Sequence, residues 1–182
     1  MFSDVEIRWK RGNRLLFSHN SPCLQGLIEL MRKQNHRVLV MWALDCVKET
    51  LARFEARYPD ETRPRRCLEL CASWSRDEVK MPLAKRAILD AHRVAKEISN
   101  PQYGAICHAI GHAGATVHVA SHAIGLPIYE LTAIVLEYAL NDFSDPVRQK
   151  IDFYIQKLKY WQAHTDHEDL KWAKFLLNSP LG

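Results

Sequence analysis

The sequence predicts an all-α protein, and the observations that predict it are a scarcity of turn residues and a helical spacing of apolar residues. Only 7 glycines and 8 prolines occur among 182 residues, which is few for the many turns of a β-sandwich or barrel. Apolar residues recur at steps of three and four along most of the chain, as on the buried face of a helix. We therefore expect an irregular bundle of about seven or eight helices around a central helix rich in histidine, glycine and alanine.

Capping residues mark the first helices. Ser21-Pro22 matches an N-cap followed by a first-turn proline, and begins the helix PCLQGLIELMRKQ. Asn35 can cap the next helix, which we expect over residues 36–58. Its apolar positions form one stripe: Val40, Leu44, Val47, Leu51 and Phe54.

Two amphipathic helices are predicted in the middle of the chain. Pro64 lies in the first turn of one of them, and its apolar face comprises Leu68, Cys71 and Trp74. The second covers residues 82–99, with Leu83, Ala87 and Ala91 directed inward.

The histidine-rich helix follows, and we expect it to run from Asn100-Pro101 to Gly125 as a left-handed terminal residue. Pro127 begins another helix, and Ser144-Asp145-Pro146 begins the next. A short terminal helix is expected in DLKWAKFLL. The stretch EIRWK near the start is the one candidate strand.

The chain length predicts a single all-α domain over residues 1–182. We divide it into an N-terminal arm (1–20), a helical core (36–164) and a C-terminal short helix with a tail (165–182). The arm carries a basic run and is expected to be solvated.

Charge, cysteine content and hydropathy limit the partners and the cellular compartment that the sequence suits. The net charge of +4 is well below that of a dedicated nucleic-acid-binding domain. Five scattered cysteines are typical of reduced thiols rather than of a disulfide framework. No apolar run approaches the ~20 residues that span a bilayer. We therefore expect a cytoplasmic protein with no membrane partner.

Four histidines lie within the histidine-rich segment: His108, His112, His118 and His122. On one continuous helix their side chains would share a sector of about 120°. Histidines four residues apart form a two-ligand unit for zinc or another divalent transition metal. The outer two would lie roughly 21 Å apart, so each pair would need a ligand from elsewhere, and His92 is a candidate.

Three interpretations of these histidines stay open. A metal site would use His112, His118, His122 and His92, and would suit a hydrolase-like metalloenzyme. A buried polar seam, hydrogen-bonded to neighbouring groups, would be structural. A catalytic or partner-binding role is the third. The motif HExxH is absent, as are GxSxG, the P-loop and GxGxxG, and this favours a protein that is not an enzyme and that has no cofactor.

Charged and polar residues elsewhere offer further candidates. Asp45 lies among apolar residues, and we expect it to pair with an arginine or histidine such as His92. Arg63, Arg65 and Arg66 could bind a phosphate or carboxylate, or could be a solvated surface. Nucleic-acid binding through these arginines and the basic N-terminal run is a weaker hypothesis.

The motifs WALDC, RPR and GHAGATVHVASHA, in this order, resemble those of the bacterial Imm-5-like putative immunity proteins over residues 39–140. The positions that match are Trp42, Asp45, Arg63, Arg65, Trp74, His92, Gly111, His112, His118 and His122. His108 lies outside the pattern, and Pro127 departs from it.

The resemblance implies an all-α cytoplasmic protein that binds and neutralises a cognate toxin without catalysis. The partner is then a protein, and self-association into a homo-oligomer stays open. Inhibitors of nuclease toxins are expected to be acidic, because they are steered to a basic active site. A chain with a net charge of +4 better suits an acidic or neutral toxin.

Overall fold

The structure, a computed structural model, describes residues 2–166 and 171–177. Within these residues the fold is all-α, as predicted, with nine α-helices and no strand. The helices are α1 (Ser3–Lys10), α2 (Gln25–Arg32), α3 (His36–Arg57), α4 (Arg63–Ser75), α5 (Met81–Glu97), α6 (Pro101–Ala115), α7 (Gly125–Tyr138), α8 (Ser144–His164) and α9 (Lys174–Leu177). Two 3₁₀ turns, Pro22–Leu24 and Ala120–Ile124, precede α2 and α7.

Helix α6 is the central element. It packs against α3, α4, α5 and α7, and ten of its residues are buried. Most of these residues are glycine or alanine, whose small side chains allow neighbouring helices to come close. The predicted central helix rich in small residues is therefore confirmed.

Side-chain caps fix the starts of two helices where the sequence predicts them. The Asn35 side chain accepts a hydrogen bond from the Val38 amide at 3.0 Å, at the start of α3. The Asn100 side chain accepts one from the Gln102 amide at 2.9 Å, at the start of α6. Each cap satisfies an amide that has no partner within its own helix.

Helix α5 buries a slightly different face from the predicted one. Leu83 is 43% exposed, whereas Ala84, Ala87, Ile88 and Ala91 are buried. These four residues follow helical spacing from Ala84, which places Leu83 off the stripe. The prediction of Leu83 as an inward residue was wrong.

The N-terminal region is helical and its apolar residues are packed, whereas Lys10, Arg11 and Arg14 of the basic run are exposed, as expected. EIRWK lies within α1 and is not a strand. The apolar residues of this region, Phe2, Val5, Leu16 and Phe17, are buried. The Leu16 amide donates to the Thr132 hydroxyl at 3.2 Å, and so the region is attached to α7.

The histidine-rich segment is interrupted, contrary to prediction. Helix α6 ends at Ala115, and the chain becomes extended at Val119 (φ −141°, ψ 124°) before the 3₁₀ turn. The break lies in the sequence TVHV, where the Thr116 hydroxyl donates to the His112 carbonyl at 3.0 Å. Three of its four residues are β-branched, which lowers helix propensity. Gly125 has φ −62°, so it is not the predicted left-handed residue and instead begins α7.

The C-terminal segment packs against α4. The Ala173 amide donates to the Ser75 carbonyl at 2.8 Å, and Leu176 is buried. Residues 169–170 of the predicted DLKWAKFLL helix lie outside the described residues. None of the described helices combines the length and the hydropathy needed to cross a membrane.

Candidate functional site

The break after α6 turns the chain so that histidines from three elements meet. We call this group the histidine cluster: His92 from α5, His108 and His112 from α6, and His122 from the 3₁₀ turn, together with Tyr129 from α7. The ring centroids of His92 and His112 are 5.4 Å apart, and those of His112 and His122 are 5.5 Å apart.

The shortest polar contact in the cluster joins His92 and His108. Their Nδ1 atoms are 2.8 Å apart, so that one ring donates its N–H and the other accepts. A ring that accepts at Nδ1 is neutral. The contact therefore requires at least one uncharged imidazole.

Tyr129 closes the α7 side of the cluster. Its ring is 4.9 Å from that of His108, and it stacks on His112 at 5.1 Å with an interplanar angle of 24°. Tyr129 was not predicted from the sequence, because its contact with the histidines depends on how α7 packs along α6.

Two glycines make room for the imidazoles. A Cβ atom on Gly111 would lie 2.6 Å from Cε1 of His92, and one on Gly125 would overlap the His112 ring. At a third glycine, Gly114, a Cβ would be 3.0 Å from the Sγ atoms of both Cys67 and Cys71. Gly111 and Gly114 thus let the His92 ring and the two thiols approach the backbone of α6 closely.

The environment of the cluster favours neutral rings. Burial, followed by the other histidines, lowers the pKa of both His92 and His112 to about 4. Burial also lowers the pKa of His108 and of His122. Imidazoles that are uncharged at neutral pH can hydrogen-bond, stack or ligate a metal, but they do not supply positive charge.

One ring nitrogen of the cluster has no partner. The Nδ1 atom of His112 is buried and makes no hydrogen bond within the part of the chain that the structure describes. A buried nitrogen without a partner is unusual in a folded protein. It is the feature of the cluster that most favours a ligand.

The predicted metal ligands are regrouped by the fold. His92, His112 and His122 lie in the cluster, but the His118 ring instead packs against Trp74, with centroids 5.8 Å apart. Across residues 2–166 and 171–177, no three side chains of histidine, cysteine, aspartate or glutamate are placed so that they could hold one ion. A zinc-type site stays a prediction.

Asp45 does not pair with His92, and that prediction was wrong. It accepts hydrogen bonds from Lys157 at 2.9 Å, Lys48 at 3.1 Å and the Trp161 indole at 3.1 Å. Burial alone would raise the pKa of Asp45, but these three donors outweigh it and lower the pKa. Asp45 thus joins α3 to α8, away from the histidine cluster.

The remaining predicted residues form hydrogen bonds and ion pairs within the chain. The Trp42 indole donates to the Tyr154 carbonyl at 2.9 Å. Arg63 forms ion pairs with Glu61 and Glu97, both at 2.6 Å. Arg65 pairs with Glu55 at 2.5 Å. Because Arg63 and Arg65 already contact carboxylates within the chain, they do not form an open phosphate site.

A buried polar network escaped the sequence analysis. Glu130 on α7 accepts from the Thr50 hydroxyl at 2.6 Å and from the Tyr154 hydroxyl, and it pairs with Lys150 at 2.9 Å. The signal was a single glutamate inside the apolar run IYELTAIVL. Buried carboxylates require partners of this kind.

The family comparison covers the elements that form the cluster. Residues 29–159 match the family model described as Imm-5 like putative immunity protein. No curated protein and no solved structure matches the chain.

Proposed function

We propose that this chain, which belongs to the Imm-5 like putative immunity protein family, binds a cognate toxin protein and neutralises it without catalysis. The family match over residues 29–159 is the observation that carries this proposal. The proposal places the encounter in the cytoplasm, where the buried thiols of Cys46, Cys67, Cys71 and Cys107 would stay reduced.

The arrangement of charges is consistent with a binding role. The conspicuous arginines Arg63 and Arg65 contact glutamates of the same chain. Lys85 and Arg86 on α5 are exposed and make no ion pair in the described residues. With the net charge of +4, such cations favour an acidic or neutral toxin, because opposite charge accelerates association.

Co-expression with the product of the adjacent open reading frame tests the proposal. We expect the adjacent product alone to arrest growth, the pair to grow normally, and the two proteins to co-purify. An unrelated helical protein of similar charge serves as the control for nonspecific protection. If growth is not rescued and no complex forms, the proposal is wrong.

A metal-dependent, hydrolase-like enzyme is the second candidate, favoured by the unpartnered Nδ1 atom of His112. Elemental analysis of protein purified without a histidine tag tests it. The enzyme hypothesis predicts metal that is lost in the His92→Gln and His112→Gln variants but retained in His118→Gln, because His118 lies outside the cluster. Less than about a tenth of an equivalent of metal in the unmodified protein would eliminate this candidate.

A further inference from the structure

A cavity of about 480 Å³ opens beside the chain break. It lies between α2, the start of α3 and the segment 118–124. Its volume is within the range of about 300–1,000 Å³ that is typical of small-molecule sites. The space is therefore large enough for a ligand of medium size.

The floor of the cavity is apolar. Four of the buried residues that line it are apolar: Ile28, Met31, Leu39 and Ile124. The two buried polar residues of the lining, Gln34 and His36, hydrogen-bond to the backbone carbonyls of Leu30 and Thr116. Val119, at the edge, is 40% exposed. Each methylene group that such a surface removes from water contributes about 0.8 kcal/mol, so the floor suits an aliphatic chain.

The rim of the cavity is basic. His19, Arg32 and His118 line it together with Ser121, and no aspartate or glutamate of the described residues does. The Arg32 guanidinium is exposed and makes no ion pair in the described part of the chain. Unlike Arg63 and Arg65, it is therefore available to a carboxylate from outside.

We propose that this cavity binds an amphiphilic monoanion, a medium-chain aliphatic carboxylate, with the chain on the apolar floor and the carboxylate at Arg32 and His118. The charge complementarity of the rim is what selects an anion. A guanidinium binds a carboxylate through two parallel N–H···O hydrogen bonds, and an imidazole N–H supplies a further donor.

This inference goes beyond toxin neutralisation and does not depend on it. The cavity is lined by the loop before α2, by α2, by the start of α3 and by residues 118–121 and 124, and none of the five cluster residues lines it, although His122 lies on the same 3₁₀ turn. Carboxylate binding can be measured on the protein alone. Either proposal can therefore fail while the other holds.

Calorimetric titration with decanoate, below its micellar concentration, tests the inference. We expect saturable binding of one equivalent of decanoate, at least tenfold weaker binding of decanol, and negligible binding of butyrate. Arg32→Gln should weaken decanoate binding about tenfold, because a charge-assisted contact is lost. Arg86→Gln removes an exposed arginine on α5, which does not line the cavity, and should leave decanoate binding unchanged.

A blocking variant shows where the ligand lies. Ser121→Trp places a large ring at the exposed rim and should abolish decanoate binding without lowering the melting temperature. Equal affinities for decanoate and decanol, or equal effects of Arg32→Gln and Arg86→Gln, would overturn the proposal. The proposal would also be wrong if the wild-type protein bound no decanoate and the Ser121→Trp variant no longer bound the toxin. That pair of results would show that the cavity holds a segment of the toxin.

Discussion

The His92 ring lies directly over Gly111, so closely that a Cβ atom at position 111 would be 2.6 Å from His92 Cε1. The ring cannot move aside freely, because its Nδ1 atom is 2.8 Å from that of His108. The backbone of α6 is thus part of the packing around an imidazole.

Gly111→Ala should therefore destabilise the protein by about 1–3 kcal/mol, the usual cost of overpacking, although alanine favours a helix by about 1 kcal/mol over glycine. Chemical denaturation measures this free energy of unfolding. Gly26→Ala is the matched control, since no atom lies within 4 Å of a Cβ there, and it should stabilise. In a His92→Ala background the penalty at Gly111 should disappear; an undiminished penalty would show that His92 is not its cause.

Stability should fall as the pH is lowered from about 6.5 to 4. Below pH 6.5 the unfolded chain protonates His92 and His112, whereas burial and the neighbouring histidines hold their folded pKa values at about 4. The unfolded state binds more protons in this window, and so stability is lost as the pH falls through it. The histidines that contribute are the four of the cluster and His36, whose pKa burial also lowers. The charge of Lys96 helps to lower the pKa of His92 and of His108, whereas Tyr129, whose pKa is raised by burial, stays protonated throughout this range.

The measurement is the number of protons taken up on unfolding, which is the slope of the unfolding free energy against pH. His92→Gln should reduce the slope of unfolding free energy against pH by nearly one proton between pH 4.5 and 6. Gln162→Ala, at an exposed position without a titratable group, serves as the control and should leave the slope at the wild-type value. An unchanged slope in His92→Gln would mean that this ring is charged in the folded protein.

Tyr154→Phe should cost about 1.5–3 kcal/mol, because it removes a hydrogen bond to the buried carboxylate of Glu130. Thr50 and Lys150 would still contact that carboxylate, so the variant should fold. Tyr160, which is 45% exposed, provides the control, and Tyr160→Phe should change stability by less than about 0.5 kcal/mol. Equal effects of the two substitutions would contradict a role for the hydroxyl in the network.

Asp45→Asn should lower stability, and more strongly at low salt, because Asp45 holds Lys157 and Trp161 of α8 against α3. The expected loss is about 1–2 kcal/mol, given that Lys157 is partly exposed. Asp152 is exposed on the same helix α8, and Asp152→Asn should have little effect. If Asp45→Asn unfolds at the same denaturant concentration as wild type, the link between α3 and α8 is not energetically important.

Helix positions were predictable because their signals are local. Asn35 and Asn100 cap helices with their own side chains, and the stripe on α3 is visible as a spacing in the sequence. The break after Ala115 was missed because histidine spacing alone fits a continuous helix. The β-branched residues Thr116, Val117 and Val119 were the local signal against it.

The partners of polar residues were harder to predict, because they depend on how helices pack. Asp45 was expected to meet His92, but α8 supplies Lys157 and Trp161 from residues more than a hundred positions away in the chain. The convergence of His122 with His112 required the chain to turn after α6. The periodicity of side chains along one helix carries no information about such a turn.

Inhibition of the purified toxin by increasing amounts of this protein tests the central claim most directly. Neutralisation by binding predicts that residual toxin activity falls linearly and reaches zero at one molar equivalent, with or without a chelator. If a few hundredths of a molar equivalent of this protein progressively removed all toxin activity over time, the protein would be turning over the toxin catalytically. That result would contradict the account.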